Sequence, residues 1–183
     1  MAIAAVRAAT RTDVDEIVRI QADTWAAAYA ALVPATAIEQ LRGPGARDAW
    51  AGAVAAGAGH VLVATEGDWT VGFVAATRAS EAVPTPGEPV GPEAWGEIGA
   101  LLVEPRWGRR GHGGRLLATA AHALQQAGAL YGLAWIPEAD EASRRFYTRA
   151  GWAADGAVRA FDTGDGTLRE IRVTGALDLK LQD

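Results

Sequence analysis

The segment Val103–Leu117, VEPRWGRRGHGGRLL, decides the fold of this chain. An apolar run that ends at Pro105 precedes a glycine-rich turn, and a helical pattern follows the turn. Glycines allow the backbone to approach a ligand closely, and the N-terminus of a helix favours negative charge. We therefore predict a phosphate-binding turn with these contributing residues: Arg109, Arg110, Gly111, His112, Gly113, Gly114 and Arg115.

Two other phosphate motifs fit this turn less well. A P-loop ends in Gly-Lys-Ser/Thr, which is absent here. A dinucleotide fingerprint that begins at Gly111 fails because Leu116 stands at its third glycine position. A turn with a purely structural role is the remaining alternative. The apolar strand before the turn favours the phosphate interpretation.

Hydrophobic periodicity predicts the element order βααβββαβαββ, an α/β (α+β) arrangement in a single domain of residues 1–183. The predicted strands are 3–6, 60–65, 70–76, 95–103, 130–136, 157–161 and 169–174. A capping box of Thr12 and Asp15 is expected to start the first helix. A second helical region is broken near Gly43 and ends at 57–59. The last two helices are predicted at 113–127 and from a cap at Asp140 to residue 150.

The composition limits the kinds of ligand and macromolecule that this chain is expected to bind. The formal net charge of -5 disfavours nucleic acid, and the absence of cysteine excludes disulfides and thiolate metal sites. The three histidines, His60, His112 and His122, are too far apart in sequence to suggest a metal motif. We see no signal peptide and no apolar run long enough to cross a bilayer, so no membrane partner and a cytoplasmic location are expected.

A second block, Ser143–Trp152 (SRRFYTRAGW), follows the turn by about thirty residues. With the turn Gly108–Gly113, it resembles the motifs of the GCN5-related N-acetyltransferase (GNAT) superfamily. Gly108 stands where that family usually has Gln or Arg, and Asp140 stands where Asn is common. The resemblance implies a mixed central sheet of six or seven strands flanked by helices. It also implies acetyl-CoA as co-substrate, with no metal.

The resemblance assigns further residues to the cofactor. It implies that two central strands splay apart and that the backbone of Leu101, Leu102 and Val103 pairs with the pantetheine arm. Asp140 and Ser143 would contribute to the same site, although helix capping is the simpler role for Asp140. The glycine-rich turn would hold the pyrophosphate through backbone amides and Arg109. His112, inside the turn, is expected to be exposed to solvent.

The implied reaction is direct acetyl transfer to a primary amine of a small molecule or peptide. Tyr147 is the candidate acid that protonates the leaving thiolate, and packing beside Phe146 is its alternative role. Glu97 is the candidate base, directly or through water, and a rim carboxylate without catalytic role is its alternative. A non-catalytic acyl-CoA-binding module and an oligomerisation domain are the competing functions.

The residues that would bind the amine acceptor are the least specified part of the expected site. The resemblance points to Trp25, Tyr29, Trp95 and Asp162, with Phe161 and Asp165 nearby. Aromatic rings with carboxylates would suit a cationic amine, whereas core packing and turn formation are the alternatives. The proline-rich segment 79–94 is predicted as a loop, either mobile surface or a lid. A homodimer is compatible with this sequence.

Overall fold

The computed structural model describes residues 3–57, 59–80, 83 and 91–179. These residues include a mixed seven-stranded sheet. The strand order is β1-β2-β3-β4-β5-β7-β6. Every neighbouring pair is antiparallel except β4 and β5, which are parallel. This confirms the predicted mixed sheet. The strands are β1 (Ala4–Ala8), β2 (His60–Glu66), β3 (Trp69–Arg78), β4 (Trp95–Val103), β5 (Tyr131–Pro137), β6 (Ala153–Asp162) and β7 (Thr167–Ala176).

Within the described ranges, five α-helices connect the strands: α1 (Val14–Tyr29), α2 (Ala35–Gln40), α3 (Pro44–Ala56), α4 (His112–Gln126) and α5 (Glu141–Arg149). The predicted order had two helices before the second strand, whereas the structure has three. Gly43 is the N-cap of α3 and Pro44 is its first residue. Proline has no N–H to donate and favours the first turn, so the predicted break separates two helices.

The helices cover both faces of the sheet. On one face, Ile17 and Ile20 of α1 pack with Val63 and Phe73 from the sheet. On the other face, α4 and α5 form the largest core cluster, which contains Leu116, Leu117, Leu124, Tyr147 and Trp152. The face opposite α4 and α5 is called the α1 face below.

A bulge in β4 and a short ladder separate the two central strands. Ala75 pairs with Ala100 but Ala76 pairs with Ile98, so Gly99 is an extra residue in β4. The parallel ladder between β4 and β5 ends at the Ile98–Ala134 pair, although both strands continue. A gap therefore opens between Gly99–Val103 of β4 and the end of β5. This is the splaying that the family resemblance implies.

The chain enters α1 through a capping box, but at other residues than predicted. The box joins Thr10 and Asp13, because Asp13 Oδ2 accepts hydrogen bonds from the Thr10 N–H at 2.7 Å and from the Thr10 hydroxyl at 2.9 Å. Both guanidinium arms of Arg7 also bind Asp13, at 2.7 and 2.8 Å. The prediction of Thr12 and Asp15 was wrong because Asp15 instead pairs with Arg47 across the helices.

We expect acid to weaken this start of α1. The hydrogen bond from Arg7 lowers the pKa of Asp13 from 3.8 to about 2. A lowered folded-state pKa stabilises the fold above pH 3.8, and the contribution is lost as the pH falls towards 2. Urea denaturation at pH 6 and pH 3 should show a smaller acid-induced loss of stability in Asp13→Asn than in the parent chain. Asp15→Asn, in an exposed ion pair, should retain the parent's acid response; an identical response in all three would contradict the prediction.

Candidate active site

The backbone of β4 presents alternate groups to the gap. The Glu104 N–H donates to the Val71 carbonyl at 2.9 Å, and Leu102 is paired with Phe73 in the same ladder. Because successive peptide groups of a strand point to opposite sides, those of Leu101 and Val103 face the gap. The structure therefore places two of the three predicted backbone contacts at the gap, while Leu102 bonds to β3.

The N-terminus of α4 has free backbone donors. Gly111 caps the helix with φ of 80°, and Arg109 has φ of 61°. No side chain caps this end among the described residues, and the first N–H that bonds back is that of Arg115, to the Gly111 carbonyl. The amides of His112, Gly113 and Gly114 are thus left for a ligand, and the helix dipole favours an anionic one.

Three predicted segments of the site meet at Gly113. A Cβ atom added there would lie 3.2 Å from Phe146 Cε2 and 3.9 Å from Leu101 Cδ2. The lack of a side chain thus lets α4 approach both the gap-lining part of β4 and the helix that carries Tyr147. The two sequence blocks are therefore in contact.

The arginines of the turn have different roles. Arg110 Nη1 lies 2.9 Å from Glu66 Oε1, and its guanidinium carbon lies 4.9 Å from the centre of the Trp107 ring. Arg115 Nη1 donates to the Arg110 carbonyl at 3.0 Å. Arg109 makes no hydrogen bond or ion pair within the described part of the chain. The side chain with no competing partner in this turn is therefore that of Arg109.

His112 is buried, contrary to the prediction of solvent exposure. It is 2% exposed, and its Nε2 lies 2.8 Å from Glu66 Oε2. As the first residue of α4, it turns towards the end of β2. The hydrogen bond with His112, helped by Arg110, holds the pKa of Glu66 below its usual value. Sequence reasoning missed Glu66 because it lies 46 residues from His112.

Tyr147 lies in the core beside the site. It stacks on Trp152 with ring centres 5.3 Å apart and is 4% exposed. Burial, followed by the charge of Asp140, raises the pKa of Tyr147, so its phenol is protonated at neutral pH. Its hydroxyl has no hydrogen-bond partner among the described residues. It can therefore act as a donor to a ligand.

Asp140 caps α5, as predicted. Its carboxylate accepts the Ser143 N–H at 2.9 Å, the Ser143 hydroxyl at 2.7 Å and the Tyr29 hydroxyl at 2.5 Å. Desolvation raises the pKa of Asp140, but these hydrogen bonds outweigh it and the pKa is lowered. Asp140 and Ser143 thus have protein partners already. Tyr29, predicted on the acceptor side, is buried and joins α1 to α5.

The other predicted acceptor residues divide between core and surface. Trp95 is buried against Tyr131, with ring centres 5.0 Å apart. Trp25 meets Tyr29 edge-on at 5.1 Å and is half-buried. Asp162 accepts the Gly164 N–H at 2.8 Å in the β6–β7 turn. Trp95 and Asp162 therefore have clear packing and turn roles.

Glu97 has an unengaged carboxylate on the α1 face. It lies opposite Leu133 of β5 in the sheet register. Because side chains alternate along a strand, it is on the opposite face from the adjacent residues of β4. It is half-buried and makes no hydrogen bond or ion pair with any described residue. This position is compatible with proton transfer from a ligand.

Four residues near this face were missed: Trp135, Arg159, Glu170 and Arg172. Arg159 Nε bonds to Glu170 at 2.5 Å, and Glu170 is 9% exposed. Alternation along each strand could have placed them on one face. Only the pairing of β7 between β5 and β6 brings them together, and that pairing is not a local property of the sequence.

Part of the predicted loop 79–94 lies outside the described residues, namely 81–82 and 84–90, so the lid alternative stays a prediction. Ala79, Val83 and Ala94 belong to a core cluster with Trp95 and Leu133. Within the described ranges, no group of metal-ligating residues is assembled, and no helix is long and apolar enough to cross a membrane.

The fold agrees with that of known proteins. The sequence profile of the Acetyltransferase (GNAT) family matches residues 18–152. The PaiA N-acetyltransferase of Thermoplasma acidophilum, solved with coenzyme A, superposes with a TM-score of 0.76 at 14% identity, covering 95% of this chain and 99% of its own. The yncA structure of Salmonella typhimurium with acetyl-CoA gives 0.70 at 20% identity, covering 96% and 94%.

A ribosomal-protein-alanine N-acetyltransferase of Brucella melitensis gives a TM-score of 0.71 at 19% identity, covering 94% of this chain and 99% of that chain. At such identities these similarities establish the fold alone. No curated protein matches the sequence significantly. The profile match spans most of the chain and includes both sequence blocks, so this chain belongs to the GNAT family of acetyltransferases.

Proposed function

We propose that this chain transfers an acetyl group from acetyl-CoA directly to a primary amine of a small molecule or peptide. The observation that carries the proposal is the gap beyond the Ile98–Ala134 pair, which adjoins the uncapped N-terminus of α4. The structures of the Thermoplasma and Salmonella proteins, which hold coenzyme A or acetyl-CoA, support acetyl-CoA as the cofactor. The same proposal treats residues 1–183 as one acetyltransferase domain.

The proposed cofactor contacts fall into two groups. The peptide groups of Leu101 and Val103 would pair with the pantetheine arm, as a neighbouring strand would. The free amides of α4 and the Arg109 guanidinium would bind the pyrophosphate. Arg110, His112 and Arg115 would shape the turn, since their side chains already bond to protein groups.

The proposed reaction needs no covalent enzyme intermediate. Glu97, directly or through water, would accept a proton from the attacking amine. The backbone N–H groups that line the gap would stabilise the oxyanion as the N–C bond forms. The C–S bond then breaks, and Tyr147 would give its proton to the departing thiolate. Burial makes Tyr147 a weaker acid than a free phenol, so the transfer depends on the negative charge that develops on sulfur.

Thermal-shift titrations with acetyl-CoA, CoA and unrelated nucleotides test the cofactor half of the proposal. We expect selective stabilisation by the two CoA species, because ligands that bind only the folded state raise its stability. A thiol-release assay over a panel of amines tests the transfer half. Equal stabilisation by unrelated nucleotides would contradict CoA binding. Stabilisation without thiol release would favour the non-catalytic module.

We expect Gly111→Ala to weaken acetyl-CoA binding by about tenfold, the loss of roughly one hydrogen bond to a charged group. Gly111 has φ of 80°, and an alanine there would favour a shift of the turn. Gly128→Ala is the matched control, because Gly128 at the other end of α4 has φ of 97° and open space around it. Both variants should lose about 1–2 kcal/mol of unfolding free energy. Calorimetric titration should show weaker binding only for Gly111→Ala, and equal binding in the two variants would contradict the assignment.

A further inference from the structure

Two arginines lie close to one aromatic ring on the α1 face. The guanidinium carbons of Arg159 and Arg172 lie 4.5 and 5.5 Å from the centre of the Trp135 ring. Arg172 of β7 is directly opposite Trp135 of β5 in the sheet register, and Arg159 comes from the edge strand β6. These three residues form one surface, called the Trp135 platform below.

The platform has unused hydrogen-bond donors. Arg159 bonds through Nε to Glu170, and Arg172 bonds through Nε to Asp155 Oδ2 at 2.7 Å. The terminal amino groups of both guanidiniums make no hydrogen bond to any described residue. The Arg172 side chain is only 13% exposed, so water reaches it poorly. The Arg159 side chain is 41% exposed, so a ligand can reach it from solvent. Spare guanidinium donors, one set of them poorly hydrated, favour an anionic ligand.

The platform borders the proposed reaction site. Trp135 follows Ala134, the last β5 residue that is paired with β4, and so stands at the edge of the gap. Leu133, two residues earlier on the same face, is paired with Glu97. An acceptor whose amine approaches Glu97 would therefore have its neighbouring substituents beside the platform.

We propose that the acceptor carries a carboxylate close to its amine, as an α-amino acid does, and that the platform binds this carboxylate. This inference rests on the proposed function. The planar guanidinium fork matches the two oxygens of a carboxylate. Glu170 and Asp155 already balance the two arginines, which favours a singly charged carboxylate over a doubly charged phosphate. The platform thus refines the expectation of a cationic amine: the acceptor carries a carboxylate as well.

Matched pairs of amines test the inference. Methionine and phenylalanine are compared with 3-(methylthio)propylamine and phenethylamine, which lack only the carboxylate, and β-alanine is compared with O-phosphoethanolamine. We expect kcat/KM to be higher for the carboxylated amines by about tenfold or more, as one charge-assisted hydrogen bond provides. In Arg159→Gln and Arg172→Gln, the KM of the carboxylated amines should rise towards that of their partners, with the acetyl-CoA KM unchanged.

Two further variants sharpen the test. Arg169→Gln is the matched control, because Arg169 is on β7 but alternates onto the opposite face and pairs with Glu138; it should keep the full preference. Arg159→Lys keeps the charge but loses the fork, so it should retain part of the preference. Each variant's acetyl-CoA thermal shift checks that it is folded.

Each outcome decides the inference. Equal kcat/KM within the pairs overturns it, as does a preference that survives both glutamine variants. A preference for O-phosphoethanolamine over β-alanine overturns the carboxylate assignment. If acetyl-CoA stabilises the chain but none of the carboxylated amines is acetylated, the inference fails and cofactor binding stands. If acetyl-CoA does not stabilise the chain, the proposed function itself fails.

Discussion

Tyr147→Phe is expected to lower kcat by about 10²-fold, the lower end of the range for a positioned general acid. The variant loses one hydroxyl that bonds to no described residue, so the packing of the ring on Trp152 is retained. The affinity for acetyl-CoA should change little, because the proposed contacts with the cofactor come from the β4 backbone and the α4 turn. Thiol release at saturating acceptor measures kcat, and calorimetric titration measures affinity.

Tyr131→Phe is the matched control for this change. Tyr131 is half-buried on β5, packs on Trp95, and likewise has no hydrogen bond from its hydroxyl to a described residue. We expect near-parental kcat for this variant. A large loss of acetyl-CoA affinity with unchanged turnover in Tyr147→Phe would rule out the acid role and leave a packing role beside Phe146.

Trp152→Ala is expected to lower the free energy of unfolding by about 3–5 kcal/mol. The indole is 1% exposed, stacks on Tyr147, and donates from Nε1 to the Ala176 carbonyl at 3.0 Å. It fills space that exists because Gly132 and Gly175 lack side chains; a Cβ at either position would overlap the ring. Truncation therefore leaves a cavity in a tightly packed core and an unpaired carbonyl.

Trp69→Ala is the control, because Trp69 is 60% exposed at the start of β3. Its cost should lie within about 0.5 kcal/mol, as for most surface substitutions. Urea denaturation monitored by far-UV circular dichroism compares the two variants with the parent chain. Similar losses in both would contradict the assignment of Trp152 as a core residue. Gly175→Ala tests the same packing from the other side and should also destabilise, by about 1–3 kcal/mol.

Local signals predicted much of the site. Glycine at 111 and proline at 105 bracket the turn, and the observed α4 begins within one residue of the predicted start. Asp140 caps α5 and Gly151 has φ of 86° after it, as expected for a helix terminator. Such features depend on a few consecutive residues, whose backbone preferences and hydrogen bonds are complete within the segment. They can therefore be read without knowledge of the rest of the chain.

Tertiary contacts account for the differences between the predicted and the observed roles of three sets of residues. His112 was expected in solvent because it lies inside the glycine-rich turn, but it is buried and forms a hydrogen bond with Glu66 at the end of β2. Thr12 and Asp15 fit the capping pattern, but Asp13 forms the ion pair with Arg7 and takes the capping position. Tyr29 was expected to face an acceptor, but Asp140, 111 residues away, takes its hydroxyl. The partners of His112 and Tyr29 are distant in sequence, and sequence spacing carries no information about them. Arg7 lies only six residues before Asp13, but it is on strand β1, so a capping pattern read along the helix does not include it.

The sequence by itself determined the element types, the glycine-rich turn, the block that carries Tyr147, and the family. Tertiary structure decided which backbone groups are hydrogen-bonded and which charged side chains are paired. The Gly99 bulge and the end of the ladder at Ile98 direct Leu101 and Val103 into the gap. The position of β7 between β5 and β6 assembles the Trp135 platform. The physical reason is that strand pairing joins residues of remote segments, so the donors left for a ligand are known only once every strand has its neighbours.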